Sequence, residues 1–232
     1  MLKILIAGSK TPIGTAEGLK RLGLETAYIT ENDIFPDLEL FSAVYFSGEF
    51  PASSEKSRNM TKELCKRCAD FSIPVVFDPD LSGISPDKYS VINEIAQSKV
   101  VFVPSIEEAR LLCGKEQPED IAKHFLELGA AKIVVTLDKK GAYYKSAKEQ
   151  GYAPTFRADC VVDTKGAGSA FAAGLISGLC EEIPLSEAVV RANACGCIAI
   201  QSEGELDCLP TMPQLREYML NHRFVVDECK FY

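Results

Sequence analysis

The stretch Val161-Val162-Asp163-Thr164-Lys165-Gly166-Ala167-Gly168-Ser169-Ala170-Phe171-Ala172-Ala173-Gly174 carries most of the information in this chain. A strand is expected to end at Asp163, two glycines let the backbone turn sharply, and a helix is expected over 168–180. Phe171, Leu175 and Leu179 follow at helical spacing and anchor that helix on its core side. The N–H groups of Gly168, Ser169 and Ala170 fall in the first turn, where no intrahelical acceptor exists. With the helix dipole they form a place for an anion, typically a phosphate. Glycine suits the approach because a side chain there would hold the anion away. Two glycines alone favour an ordinary strand-to-helix turn, so the context has to decide.

Working outward, short apolar runs alternate with amphipathic stretches. Strands are expected at 3–7, 26–30, 43–47, 74–78, 100–103 and 132–136, with short antiparallel ones at 141–145 and 155–156. Helices are expected at 15–22, 54–71, 91–96, 107–113, 118–128, 168–180, 185–202 and 212–220. Repeated strand–helix units favour a mostly parallel sheet covered by helices on both faces. No fixed-period repeat, low-complexity tract or linker is visible, and 232 residues suit one domain over 1–232. The tail at 223–232 is left open between an added strand and a loose end.

Composition narrows the functions. A net charge of −8 argues against a general nucleic-acid binder, which needs a basic face. No apolar run is long enough to span a membrane, and the apolar start at 1–8 reads as a first strand rather than a leader. Nine cysteines lie scattered, several in apolar runs, as expected of reduced thiols in a cytoplasmic protein. Cys65-Lys66-Arg67-Cys68 has C-x-x-C spacing, but it sits in a helical pattern without a second pair. Two buried thiols are expected there rather than a metal or redox site.

The glycine-turn segment resembles the D-T-x-G-A-G-D-x-F signature of the PfkB/ribokinase family of small-molecule kinases. Further segments are similar in order and spacing. Val75-Val76-Phe77-Asp78-Pro79-Asp80 resembles the family's D-P-N strand end, and Val103-Pro104-Ser105-Ile106-Glu107-Glu108 its P-N-x-x-E segment. Val134-Val135-Thr136-Leu137-Asp138-Lys139-Lys140-Gly141 resembles the V-T-x-G-x-x-G nucleotide loop. Ala192-Asn193-Ala194 falls where the adenine-side helix would lie, and Leu209-Pro210-Thr211 matches the closing L-P-T.

The resemblance implies a ribokinase-like α/β/α sandwich and transfer of the ATP γ-phosphoryl to a hydroxyl of a sugar, nucleoside or vitamin. It implies an anion hole at Gly166, Ala167 and Gly168, with the catalytic position at 169. Nucleotide contacts are implied at Thr136, Asp138, Gly141, Asp163, Thr164 and Asn193. A Mg²⁺ would be held through water near Glu108. The expected partner is a small hydroxylated molecule, with neither nucleic acid nor membrane.

Several departures bear on activity. Ser169 stands where the family places the proton-accepting Asp, and a hydroxyl is no base at neutral pH unless activated. Ser105 replaces the Asn of N-x-x-E, Asp138 a loop glycine, and Asp80 the Asn of D-P-N. Lys139, Lys140 and Lys165 could offset the added negative charge. At the N-terminal end, Gly14 falls at the family's clasp asparagine and Ser9-Lys10 at its glycine pair. The run from 32 to 43 leaves no room for the β-lid. An open cleft and a monomer, or an oligomer not built by a lid, are expected. Two functions stay open: a kinase impaired at its base, and a catalytically inactive nucleotide-, metabolite- or protein-binding relative.

Overall fold

The computed structural model describes residues 2–8, 13–204, 206, 208–222 and 224. One eight-stranded sheet runs in the order β2-β1-β3-β4-β5-β6-β7-β8. Its strands are β1 (Lys3–Ala7), β2 (Glu25–Ile29), β3 (Ala43–Ser47), β4 (Val75–Asp78), β5 (Val101–Phe102), β6 (Lys132–Thr136), β7 (Ala142–Ser146) and β8 (Gln150–Ala153). The first six pair in parallel, and β7 and β8 close one side antiparallel. The order explains the sequence pattern: parallel strands buried on both faces read as continuous apolar runs, not as alternating ones.

The side chains nevertheless divide by parity. Ile4, Ile6, Tyr45, Val76 and Val134 face one core. That core is built with α1 (Ile13–Arg21), α7 (Ala167–Cys180), α8 (Leu185–Ala199) and α9 (Met212–Asn221). Leu5, Val44, Phe46, Phe77 and Ile133 face the other. There α2 (Glu49–Ser53), α3 (Glu55–Asp70), α4 (Tyr89–Ala96), α5 (Ile106–Cys113) and α6 (Pro118–Leu128) pack. Phe46, Phe77, Phe102 and Phe125 form a row with ring centroids 5.0, 5.3 and 4.8 Å apart. Such pairs add about 0.5–1.5 kcal/mol each beyond the area they bury. The three-layer α/β/α arrangement is the expected one.

Local chemistry sets the boundaries. Ser54 caps α3 by accepting from the Ser57 amide, so that helix begins at Glu55. Gly114 ends α5 in the left-handed region at φ 68°. The strand expected at 155–156 is instead β8 at 150–153. Pro154 has no N–H to continue the ladder, and Phe156 makes only an isolated bridge to Phe224. Helix α2 was not foreseen, since Pro51 sits inside it; five residues suffice because Pro51 lies within the first turn. The expected strand at 100–103 shortens to two residues and the helix at 185–202 to 185–199. Ser9 and Lys10, and the tail apart from Phe224, lie outside the described residues.

Cys65 and Cys68 are both buried on α3. Burial raises both thiols, Cys68 to about 12 and Cys65 further, so at neutral pH neither is a thiolate. Among the described residues no helix is long and apolar enough to cross a membrane.

Candidate active site

The glycine turn sits at the head of α7. Gly166 takes φ 80°, the left-handed region, and α7 begins at Ala167, one residue earlier than expected. The Ala167 N–H returns to the Thr164 carbonyl at 3.3 Å, and the Ala170 N–H to the Gly166 carbonyl at 2.8 Å. The Asp163 carboxylate accepts from the Lys165 amide at 3.0 Å and so braces the turn. Among the described residues, no backbone acceptor faces the amides of Gly168 and Ser169. A methyl group placed on Gly168 would meet no atom within 4 Å. Two N–H groups without a backbone acceptor at a helix start, where Gly168 is exposed, match what an anionic oxygen requires.

Helix α8 ties this turn to the loop at 136–141. The strand expected before the turn does not form: the amides of Val162 and Asp163 both donate to the Ile200 carbonyl just beyond α8, at 2.8 and 3.3 Å, rather than to a sheet neighbour. Asn193 is buried at mid-helix and its Nδ2 donates to the carbonyls of Ala153 and Pro154, at 2.9 and 3.2 Å. Its amide group thus fixes the end of β8. Gly141 packs on the same segment, where a Cβ would lie 2.1 Å from the Ala153 oxygen. Thr136 ends β6, and its N–H donates to Pro104 at 2.9 Å. Asp138 is exposed and takes φ 51°, a left-handed conformation that a glycine adopts without strain and Asp tolerates. Thr164, Lys139 and Lys140 are exposed.

Glu108 works as a strut. Its Oε1 accepts from the Leu81 amide at 2.9 Å, while Oε2 accepts from the Ser105 amide and hydroxyl, both at 2.8 Å. Ser105 in turn accepts from the Glu108 amide, which completes a capping box on α5. Here Ser105 does locally what an Asn would do as a cap. A carboxylate has about four acceptor sites, so three protein bonds leave room for water-mediated contact with a cation and little more. Among the described residues no three His, Cys, Asp or Glu side chains gather as a metal cage. Water-mediated contact at Glu108 is therefore the form in which a Mg²⁺ fits these residues.

A second group lies at the carboxyl ends of β3 and β4. Tyr45, 3% exposed, accepts from the Thr15 hydroxyl on α1 at 3.5 Å, and its side chain lies near Asp78. The Asp80 amide donates to Asp78 Oδ1 at 3.1 Å. Burial, then the charges of Glu108 and Asp80, push the Asp78 carboxyl up to about 7. One turn beyond Thr15, Gly18 packs on α7, its Cβ position 2.8 Å from the Ala173 methyl and 3.9 Å from the Ser169 carbonyl. The sequence did not disclose Tyr45 or Thr15, because both occur in runs that read as apolar packing. Only the parity of Tyr45 within β3 placed it on the α1 side.

The raised Asp78 makes stability depend on pH. Below about 4 the carboxyl is protonated folded or unfolded and contributes nothing. Between its ordinary value of 3.8 and about 7 the folded chain keeps a proton that the unfolded chain has lost, so stability falls as pH rises through that window. Asp78→Asn is expected to flatten this slope. At pH 8 it should be about 1–3 kcal/mol more stable than the native protein, as read by urea unfolding from pH 4 to 8.

Comparison with known proteins agrees with this architecture. Residues 24–212 match the family described as pfkB family carbohydrate kinase. The 2-dehydro-3-deoxygluconokinase of Bacillus subtilis is 34% identical over 186 residues, covering 78% of this chain and 57% of that protein. The chain spans little more than half the length of such curated relatives. The crystal structure of a PfkB protein from Polaromonas sp. JS666 superposes with a TM-score of 0.76 at 21% identity, over 93% of this chain and 99% of that one. A putative ribokinase II from E. coli, solved with ATP and Mg²⁺, superposes with a TM-score of 0.75 at 18% identity, over 95% and 99%. With a ribokinase-like sheet, a glycine turn opening α7 and the signature segments in order along it, the chain belongs to the pfkB family of carbohydrate kinases.

Proposed function

We propose that the protein binds Mg²⁺-ATP against the glycine turn and transfers the γ-phosphoryl to a hydroxyl of a small sugar-like or nucleoside-like molecule, at a rate limited by the missing base at 169. The observation that carries this reading is the pair of amides at Gly168 and Ser169, which have no backbone acceptor among the described residues, at a turn where Gly168 is exposed. They would hold the anionic oxygens as charge develops, and Gly166 and Ala167 shape the turn that aims them. Bound Mg²⁺ would screen the phosphates. Thr136, Asp138 and Gly141 border the nucleotide from the β6–β7 side, and Asp163 and Thr164 from the turn. In the transfer, the acceptor oxygen forms a bond to phosphorus, the bond to the ADP oxygen breaks, and the hydroxyl proton leaves to solvent or a nearby acceptor. Ser169 supplies an amide to this step but no proton acceptor.

Mg²⁺-ATP titrated calorimetrically should bind with a saturable heat. Gly168→Leu should fold normally, since nothing crowds that position, yet lose at least tenfold in affinity because the new side chain fills the cup. Saturable binding that Gly168→Leu leaves intact would remove the turn from the nucleotide site, and no binding by the native protein would remove the reading itself.

A second reading, an inactive relative that binds nucleotide or a partner without turnover, is favoured by one set of observations. Asn193 is committed to the backbone at 153–154 and Glu108 to a capping box. Turnover with a panel of sugars, nucleosides and vitamin alcohols separates the two. Rates near about 1 s⁻¹ or above belong to a working kinase.

A further inference from the structure

Among the described residues the sheet has an open edge at β2, paired there with β1 alone. The Glu25 amide donates to Leu2 at 2.9 Å, and the Ile29 carbonyl accepts from Gly8 at 3.1 Å. Alternate residues of a parallel strand bond to the same neighbour, so Thr26 and Tyr28 direct their N–H and C=O groups outward. The Thr26 hydroxyl is also buried without a hydrogen-bond partner. A groove of about 520 Å³ runs beside the strand, floored by Ala27, Ile29 and Phe41 and walled by Ile34 and Pro36. Tyr28 is 44% exposed and Ile34 92%. An open strand edge beside a groove lined by apolar residues and by Asn32 and Asp33 is the geometry that accepts an added strand: main-chain bonds supply affinity, and alternate side chains enter the groove.

Charge selects the occupant. From Leu22 to Glu55 the chain has seven acidic residues and no lysine or arginine. Glu25 begins β2 and Asp33 lines the groove, while Glu31, Asp37 and Glu39 belong to the same acidic stretch of chain. Asp33 is held ionised because the Thr30 amide and hydroxyl donate to it, and Glu31 because Ser54 and Ser57 do. The nearby cations are already engaged. Lys56 donates to Asn32 at 2.9 Å, Lys3 lies over the Phe41 ring, and Arg67 pairs with Glu63 while covering Phe35. A second copy of this chain docked edge to edge would set one acidic rim against another.

We infer that the β2 edge and its groove dock an extended segment of a partner protein in which apolar residues are interleaved with lysine or arginine. The segment adds to the sheet as a ninth strand. This inference does not depend on the kinase reading, since β2 lies at the far side of the sheet from the β6–β7 loop.

The test uses a fluorescein-labelled synthetic heptapeptide, lysine-valine-arginine-valine-threonine-valine-lysine, and a control with glutamate at its three basic positions. Fluorescence anisotropy on the full chain should show saturable binding of the basic peptide, at least tenfold tighter than the control. It should weaken at least tenfold between 50 and 500 mM salt. Backbone hydrogen exchange should slow at Thr26 and Tyr28 when the peptide binds. Asp33→Lys combined with Asp37→Lys, both exposed and remote from either core, should weaken binding at least tenfold with an unchanged circular dichroism spectrum. The inference is overturned by absence of saturable binding, by equal binding of the acidic control, or by indifference to the double charge reversal. It is also overturned if the native chain sediments as a dimer that masks the edge, which would assign the groove to a second copy.

Discussion

Ser169→Asp is expected to raise the phosphoryl-transfer kcat by about 10²–10⁴-fold, the range a positioned general base supplies. Position 169 lies in the first turn of α7, where the helix dipole favours a carboxylate, so the introduced group would be ionised and ready to accept a proton near neutral pH. The same negative charge stands next to the anion cup. It should therefore leave the KM for ATP unchanged or raise it, so that the gain appears in kcat. Steady-state kinetics on native and variant protein, with one panel of hydroxylated acceptors, makes the comparison. A native protein already turning over at the family's usual rate, with no gain in the variant, would mean that another group takes the proton. Asp78, whose carboxyl titrates near 7 by the Tyr45 hydroxyl, is then the residue to replace. A variant as silent as the native protein, with nucleotide still bound, would favour the inactive relative.

Gly141→Ala should cost about 3 kcal/mol or more of folding stability. The residue takes φ 89°, which an L side chain avoids, and its Cβ would stand 2.1 Å from the Ala153 oxygen and 2.7 Å from the Thr155 nitrogen. Both neighbours are backbone, so neither can swing away. The damage would also spread, because Asn193 reaches across from α8 to the carbonyls of Ala153 and Pro154. Gly23→Ala is the control. Gly23 has φ 87° but nothing within 4 Å, so it isolates the conformational penalty at about 1 kcal/mol. Urea midpoints for the two variants should differ severalfold in their displacement from the native value.

Much of the fold could be read from the chain because its cues are local. Apolar runs such as 43–47 and 132–136 become parallel strands, and glycine at 114 and 129 stops helices where a left-handed or similar backbone is needed. The cues failed where a boundary is set by a partner distant in sequence. The end of β8 depends on Asn193, forty residues away, as well as on Pro154, which stands beside it and is the local cue that was available. The site divides in the same way. The glycine turn and Ser169 are written in one continuous segment. That Glu108 is occupied by Leu81, or that Tyr45 meets Thr15 beside Asp78, follows only from strand order and side-chain parity. Ser105 illustrates the limit: as a departure from N-x-x-E it suggests a lost ligand, yet in three dimensions it makes a sound cap.

The packing of α7 on α8 carries a last consequence. Gly174 and Gly178 lie so close to α8 that an added methyl would stand 2.8 Å from the Cys195 sulfur and 2.7 Å from the Ala188 methyl. Backbones this near leave no layer of solvent between them. The far half of α7 can therefore trade its amide protons for deuterium only when the whole molecule opens, whereas Gly168 and Ser169, ten residues upstream, trade theirs freely. One helix would then span nearly the full scale of opening free energies in the protein, its slow end serving as the rigid mount from which its fast end is held out to a ligand.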